Sequence, residues 1–465
     1  MRSAARIPPG PRHLLAGALT CAAAVAAPVA ANESANPRLT FGFDQRIETL
    51  GNAGLDIPSL GDTTQAVTRL SFGLISETLS DSLSFTGGAS FRLGDTPEGR
   101  IARFDDPRLD LSYRREGADS QFTIGASVRR SRLDFLRSLL DFVDEDGNLD
   151  LPEDFEDLAG RGRRTAYDVE AQLALGQSDA PFGVTLTLGA GGIDYSDGST
   201  LEDIRTVRGG IDTRFRLSPV ITATLGYSRS ERREGSAPVE RRDTDRVTSG
   251  LIYALSPRTE LQATLGYSRI DRAGTVTTRE EGIEGGLDID VETPDGTYGF
   301  GIDIRRIEAG VVASANLRRG LDLRSGGLSG TLGATRLPRG TAALTGGLGW
   351  TYDTRDGGLT VNLARSVGGD DDDPRIRTTL SAGYTYDINS VSGFSLRADH
   401  AHSSGTATSN RVEQSSLRAT YTHQLTADWA LNSGVAYRER TEQGVGRARS
   451  PELFLGIGRQ FEFPL

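Results

Sequence analysis

The feature that most constrains this chain is an alternation of apolar and polar residues with period two, repeated along most of its length. Leu261, Ala263, Leu265 and Tyr267 are separated by Gln262, Thr264 and Gly266, and Ile221, Ala223, Leu225 and Tyr227 by Thr222, Thr224 and Gly226. The spacing recurs at Phe122, Ile124, Ala126 and Val128, and at Leu380, Ala382, Tyr384 and Tyr386. Successive side chains of a strand point to opposite faces, so each segment has one apolar face and one small, polar face. On a helix the same spacing would scatter the apolar residues around the cylinder.

Turn signals punctuate these runs at Ser80-Asp81-Ser82, Glu116-Gly117-Ala118-Asp119, Ser178-Asp179-Ala180-Pro181, Ser218-Pro219 and Ser256-Pro257. They continue at Pro294-Asp295-Gly296, Ser325-Gly326-Gly327, Arg355-Asp356-Gly357, Asn389-Ser390 and Thr426-Ala427-Asp428. Each is flanked by strand-like arms of roughly ten residues, enough to cross a bilayer at a tilt. One hairpin is nearly copied: Ala223 to Arg229 returns forty positions later as Ala263 to Arg269, each copy preceded by its own Leu-Ser-Pro, at Leu217 and Leu255. Longer polar connections lie between hairpins, the largest from about Asp134 to Gly162, with others at Gly94–Phe104, Gly235–Arg242, Gly368–Pro374 and Ser403–Asn410. Short turns at one end and long loops at the other are the asymmetry of an outer-membrane barrel. The expected fold is all-β: a transmembrane antiparallel up-and-down barrel with an even number of strands, about 22. The segment Ile307–Arg336 is ambiguous and leaves 18 or 20 as alternatives.

The amino terminus carries Arg2, Arg6 and Arg12 ahead of an apolar, alanine-rich run from Leu14 to Ala27, and Val29-Ala30-Ala31 offers a small-residue cleavage site. The expected organisation is a signal peptide over 1–31 and an outer-membrane barrel over 32–465. Cys21, the only cysteine, falls in the signal, and Leu19-Thr20-Cys21 is a poor lipidation site. The mature chain thus has no disulfide and no thiolate metal site.

The sequence has no lysine; all 52 of its Lys+Arg residues are arginine, and the net charge is −11. Schiff-base chemistry and a phosphate-loop lysine are excluded, and net acidity with scattered arginine argues against nucleic acid. No cofactor and no metal site is expected. In the loop Asp141–Asp157, Asp144, Asp146, Gly147 and Glu153 approach calcium-loop spacing, but Phe142 occupies the first ligand position and helical flanks are missing.

Two levels of aromatics fit two headgroup belts. Tyr113, Tyr253, Trp350, Tyr352, Tyr384, Tyr421 and Trp429 lie near the short turns, and Tyr227, Tyr267 and Tyr437 near the long loops. In the last strand Leu453, Leu455, Ile457, Phe461 and Phe463 share a face. There Gly458-Arg459-Gln460-Phe461-Glu462-Phe463 resembles the C-terminal targeting pattern of outer-membrane barrel proteins, with two departures: Gly456 stands where a polar residue is usual, and Pro464-Leu465 follow. The resemblance implies an assembly signal at Gly458, Phe461 and Phe463, read by periplasmic chaperones and the barrel-assembly machinery.

Arginine-rich, lysine-free hairpins with Leu-Ser-Pro turns resemble the β-barrel porins of Gram-negative bacteria, in particular porin-like barrels associated with exopolysaccharide export. The resemblance implies an outer-membrane channel in contact with lipid and lipopolysaccharide, passing a small polar solute or a polysaccharide. A TonB-dependent receptor would carry a plug domain ahead of its barrel, and strand-like sequence from Leu39 leaves no room for one.

If the apolar face meets lipid, the polar face lines a lumen. Strand parity puts Arg208, Arg214, Arg216, Arg305, Arg375, Arg377, Arg397, Arg418 and Arg438 there, with Asp212, Asp288 and Asp290, as a candidate solute path. Arg108, Arg318, Asp110, Asp168, Glu170, Asp303 and Asp399 share that parity. A lumen knitted shut by Arg–Asp pairs, serving a structural or surface-interaction role, is the alternative on the same fold. Catalysis is the rival class. His400 and His402, followed by Ser403 and Ser404, suggest at most an outer-membrane lipid hydrolase, and no third group is evident. The expectation is a channel, not an enzyme.

Overall fold

The computed structural model describes residues 37–464 apart from 134–138, 144–148, 153–154, 156–161, 177–179, 197–200, 236–238, 276, 369–372 and 405–409. The signal segment, most of the acidic loop with its calcium-like spacing, and Asp370–Asp372 therefore lie outside the described residues.

Twenty-two antiparallel strands, β1 (Arg38–Leu50) to β22 (Gly446–Pro464), run in chain order. Each pairs with its sequence neighbours, and β1 closes on β22 in register from Arg38↔Pro464 to Leu50↔Glu452. Closure leaves no unpaired edge, which is the condition for a sheet to survive in hydrocarbon. Nine of the ten short turns fall where the sequence places them, and Ser178-Asp179 of the tenth lie outside the described residues. Ile307–Arg336 resolves into the hairpin β14 (Gly310–Leu323) and β15 (Gly326–Arg336), joined through the Arg324-Ser325 turn.

Strands run 11 to 19 residues, longer than the roughly ten a bilayer requires. The difference lies at the long-loop end. There β3 (Asp81–Thr96) and β4 (Gly99–Glu116) continue through the region expected as a loop at Gly94–Phe104, leaving only Pro97 and Glu98 between them. Above the membrane a paired ladder still satisfies its own backbone, so polar sequence does not end the hairpin. On β9, β10 and β11 the charges of the outward parity lie in this zone. Arg229, Asp243, Asp245, Arg269 and Asp271 form ion pairs beyond Tyr227 and Tyr267 in β9 (Ile221–Glu234), β10 (Glu240–Ser256) and β11 (Thr259–Ala273).

The apolar parity faces outward. Leu188, Leu265 and Ile283 are 67%, 62% and 68% exposed, the inverse of a soluble core. The buried apolar cluster instead lies inside the ring and is built from a loop. Leu133, Leu139, Leu149 and Phe155 of the β5–β6 connection pack with Ala401 of β19 (Ser392–Ser403) and Val412 of β20 (Val412–Gln424). Those strands stand seven and eight places around the ring from β5 (Ser120–Arg132), so the loop reaches across the lumen.

Candidate luminal site

The inner wall is organised by arginines that lie over glycines. Arg208 of β8 (Ile204–Ser218) reaches Asp168 at 3.2 Å and Glu170 at 2.7 Å on β6 (Arg163–Leu175). The intervening strand β7 (Phe182–Ser196) offers Gly189, where a Cβ would lie 2.5 Å from the Arg208 Nε. Arg318 of β14 reaches Asp288 at 2.8 Å and Asp290 at 3.0 Å on β12 (Thr278–Thr293), passing Gly299 and Gly301 of β13 (Gly296–Ile307). Arg418 of β20 also reaches Glu452 of β22, at 3.1 Å, with Ala436 of β21 (Trp429–Glu442) between them in the register. Each bridge skips a strand; in the first two the guanidinium lies flat on the wall where a Cβ would stand, which glycine permits, and in the third it passes an alanine.

Every candidate solute-path residue sits on the inner parity, but they form separate groups rather than one cluster. Arg208, Asp288 and Asp290 belong to the bridges above. Arg397 stands directly opposite Arg418 in the β19–β20 register and bonds Asp399 at 3.0 Å. Arg214 lies beside Gly183 and Asp212 beside Gly226. Arg216 is exposed near the short-turn end of β8. Arg305 follows Asp303 on β13 near the long loops. In β18 (Arg375–Asn389), Arg375 pairs with Asp373 at 3.0 Å, and Arg377 is buried beside Gly368. Arg438, also buried, donates to Ser450 at 3.1 Å.

Sequence reasoning missed a group at the barrel's closing seam. Arg46 of β1 pairs with Glu48 at 2.9 Å and with Glu452 of β22, and its guanidinium sits 3.9 Å above the Phe454 ring. Arg92 of β3 bonds Asp106 at 2.6 Å, and Arg103 bonds Asp105 at 2.6 Å. Asp106 has φ of 53° at a break in the β3–β4 register, beside Pro107, which cannot donate to a ladder. The inward parity of Arg46 and Glu48 was legible; that Glu452, 406 residues away, is their neighbour was not.

The described part of the β5–β6 loop narrows the lumen on the long-loop side. Phe155 packs edge-on against Phe142, with ring centroids 6.2 Å apart, and the Arg440 guanidinium lies 6.0 Å from its ring. The first loop, 51–62, is pinned by reciprocal bonds between the Asn52 side chain and the Asp56 backbone, at 3.0 and 3.1 Å, and buries Leu55. Toward the short turns the lumen holds a cavity of about 880 Å³. Arg69, Arg92, Arg108, Arg129, Asp44 and Asp106 are among its lining residues.

The structure separates the side chains on which the hydrolase alternative rests. Ser403 is fully buried on the inner wall, on the opposite face from His400. The His400 Nδ1 lies instead 2.9 Å from the Ser415 hydroxyl, and His423 Nδ1 lies 2.8 Å from that of Ser392. Among the described residues no carboxylate bonds either imidazole, so neither pair has the orienting group that serine–histidine chemistry uses.

No protein-family model matches this sequence, and no curated protein matches it. Solved structures do match. An iron transporter from Neisseria meningitidis, FrpB, superposes with a TM-score of 0.59 at 10% identity, covering 92% of this chain and 82% of that one. The chain shares its fold. The ferric enterobactin receptor of Pseudomonas aeruginosa, PfeA, matches with a TM-score of 0.56 at 10% identity over 93% of this chain and 82% of its own. The siderophore receptor PirA of Acinetobacter baumannii gives 0.54 at 8% identity over 93% and 81%. At such identities the likeness is one of architecture. The closed ring of 22 strands and its apolar exterior between two aromatic levels make the protein an outer-membrane β-barrel.

Proposed function

We propose that the protein is an outer-membrane channel for polar, preferentially anionic solutes, narrowed by its own β5–β6 loop. The observation that carries this is the inner wall: charged and hydroxyl side chains face a lumen that holds a cavity of about 880 Å³, while the apolar residues face out. Guanidinium groups held in a low-dielectric ring raise the local concentration of anions and steer their entry. A link to polysaccharide export rests on the resemblance to porin-like barrels. The fold shared with iron and siderophore receptors makes an anionic metal chelate another solute of the same charge class. In planar bilayers the folded protein gives discrete openings with anion-over-cation preference. Folded protein that never opens defeats the channel reading.

The second reading, a lumen-blocked barrel with a structural or surface-interaction role, is favoured by one observation: the loop packs into the ring rather than away from it. It expects silence from the native protein and no opening on removal of residues 139–155.

A further inference from the structure

One row of the inner wall departs from the others. Reading across six strands in direct register, it runs Arg129 on β5, Arg108 on β4, Gly88 on β3, Ser71 on β2 (Thr63–Glu77), Gly42 on β1 and Gln460 on β22. It contains two adjacent arginines and no carboxylate. Arg108 lies over Gly88, with its Nε 3.6 Å from where a Cβ would be, as Arg208 and Arg318 lie over their glycines. Those two end on a pair of carboxylates. Arg108 has no ion-pair partner among the described residues.

The described acids nearby do not pair with Arg108. Asp106 is bonded to Arg92 at 2.6 Å, and Asp44 lies 3.8 Å from Arg69. Asp110 is on the same strand and face, one row nearer the short turns, and makes no ion pair with Arg108. Arg129 has contacts of its own; what it brings to the row is charge. The row forms part of the wall of the 880 Å³ cavity, which also meets the short-turn end at Gln424 and Asp428. Serine and glycine along its middle leave space above the wall. That volume suits a drug-sized solute.

We infer that this row is a built binding site for a multivalent anion carrying carboxylate or phosphate groups. Arg108 takes one anionic group, in the place a wall carboxylate holds beside Arg208 and Arg318. Arg69, half-exposed on β2, meets a second group, and Ser71 and Gln460 supply neutral polar contacts. The site rests on the reading of the lumen as solute space but not on conduction, since a ligand can bind a barrel whose loop stays shut.

The test is isothermal titration of the full mature chain, folded in detergent, with pyrophosphate, citrate and neutral maltotriose as probes. Both anions bind and maltotriose does not. Arg108→Gln weakens both anions by about tenfold or more, the loss of a charge-assisted pair. Arg100→Gln, at the exposed β3–β4 tip, leaves binding unchanged. Two results overturn the site: anion binding that is equal in Arg108→Gln, or folded protein that binds neither anion. Bilayer recordings on the same preparations separate the readings, because anion binding without openings removes the channel and keeps the site. Openings without anion binding do the reverse.

Discussion

Arg208 and Glu170 meet at 2.7 Å although a whole strand runs between them. Gly189 makes this possible, and the contact is worth more to the lumen's charge pattern than to stability. The side chains are 41% and 49% exposed, so solvent screening leaves such a pair about 1 kcal/mol at most. Arg208→Gln therefore leaves the unfolding midpoint nearly unchanged. It uncovers Asp168 and Glu170 and shifts the reversal potential in a salt gradient toward cations. Gly189→Val pushes the guanidinium off the wall and shifts it the same way by less. Opposite shifts would show that the bridge does not set the wall's charge.

Phe155 anchors the β5–β6 loop from a fully buried position. Truncation to alanine removes about 3–5 kcal/mol of packing, and the loss falls on the seat of the loop because the barrel's own ladder does not depend on it. Phe155→Ala leaves the heat-modifiable gel shift intact, exposes the loop to protease and enlarges single-channel conductance. Unchanged conductance with a protease-sensitive loop would mean the loop does not form the constriction.

Parity can be tested with one cation placed on two neighbouring residues. Leu265→Arg puts a guanidinium in lipid and costs about 2–4 kcal/mol in folding titrations into liposomes. Thr264→Arg faces the lumen and costs far less. Equal penalties would mean the two faces have been exchanged.

At the β12–β13 turn, the Thr293 hydroxyl and then Arg319 hold the Asp295 carboxyl below its usual range, with bonds of 2.9 and 2.7 Å. A carboxyl with a depressed folded-state pKa stabilises the turn at neutral pH, and that contribution is lost as pH falls through the ordinary carboxylate range and below it. The amide-exchange protection factor at this turn falls on acidification, and Asp295→Asn gives a low protection factor that no longer changes with pH.

The closing seam carries an assembly prediction. Phe463 meets Phe41 of β1 edge-on at 6.4 Å, and the Arg459 guanidinium lies 4.3 Å from the Phe461 ring. Removing residues 461–465 deletes both the seam contacts and the targeting-like pattern, so the heat-modifiable species disappears from outer-membrane fractions. Normal accumulation would show that neither is needed for assembly.

The sequence by itself determined the strand period, the short turns and which face of each strand is oily, because these follow from spacing within a few residues. It therefore placed Arg208, Asp212, Asp288 and the other candidates on the inner wall without any structure. Only the tertiary structure decided what they meet. Arg208 finds its acids across a glycine two strands away, Arg46 finds Glu452 only when the first strand closes on the last, and Phe155 finds Val412 only by crossing the lumen. Period-two patterning fixes orientation about a strand axis but carries no information on closure, on loop path or on which strands stand two apart at the same height, and those distances set the electrostatics of the lumen.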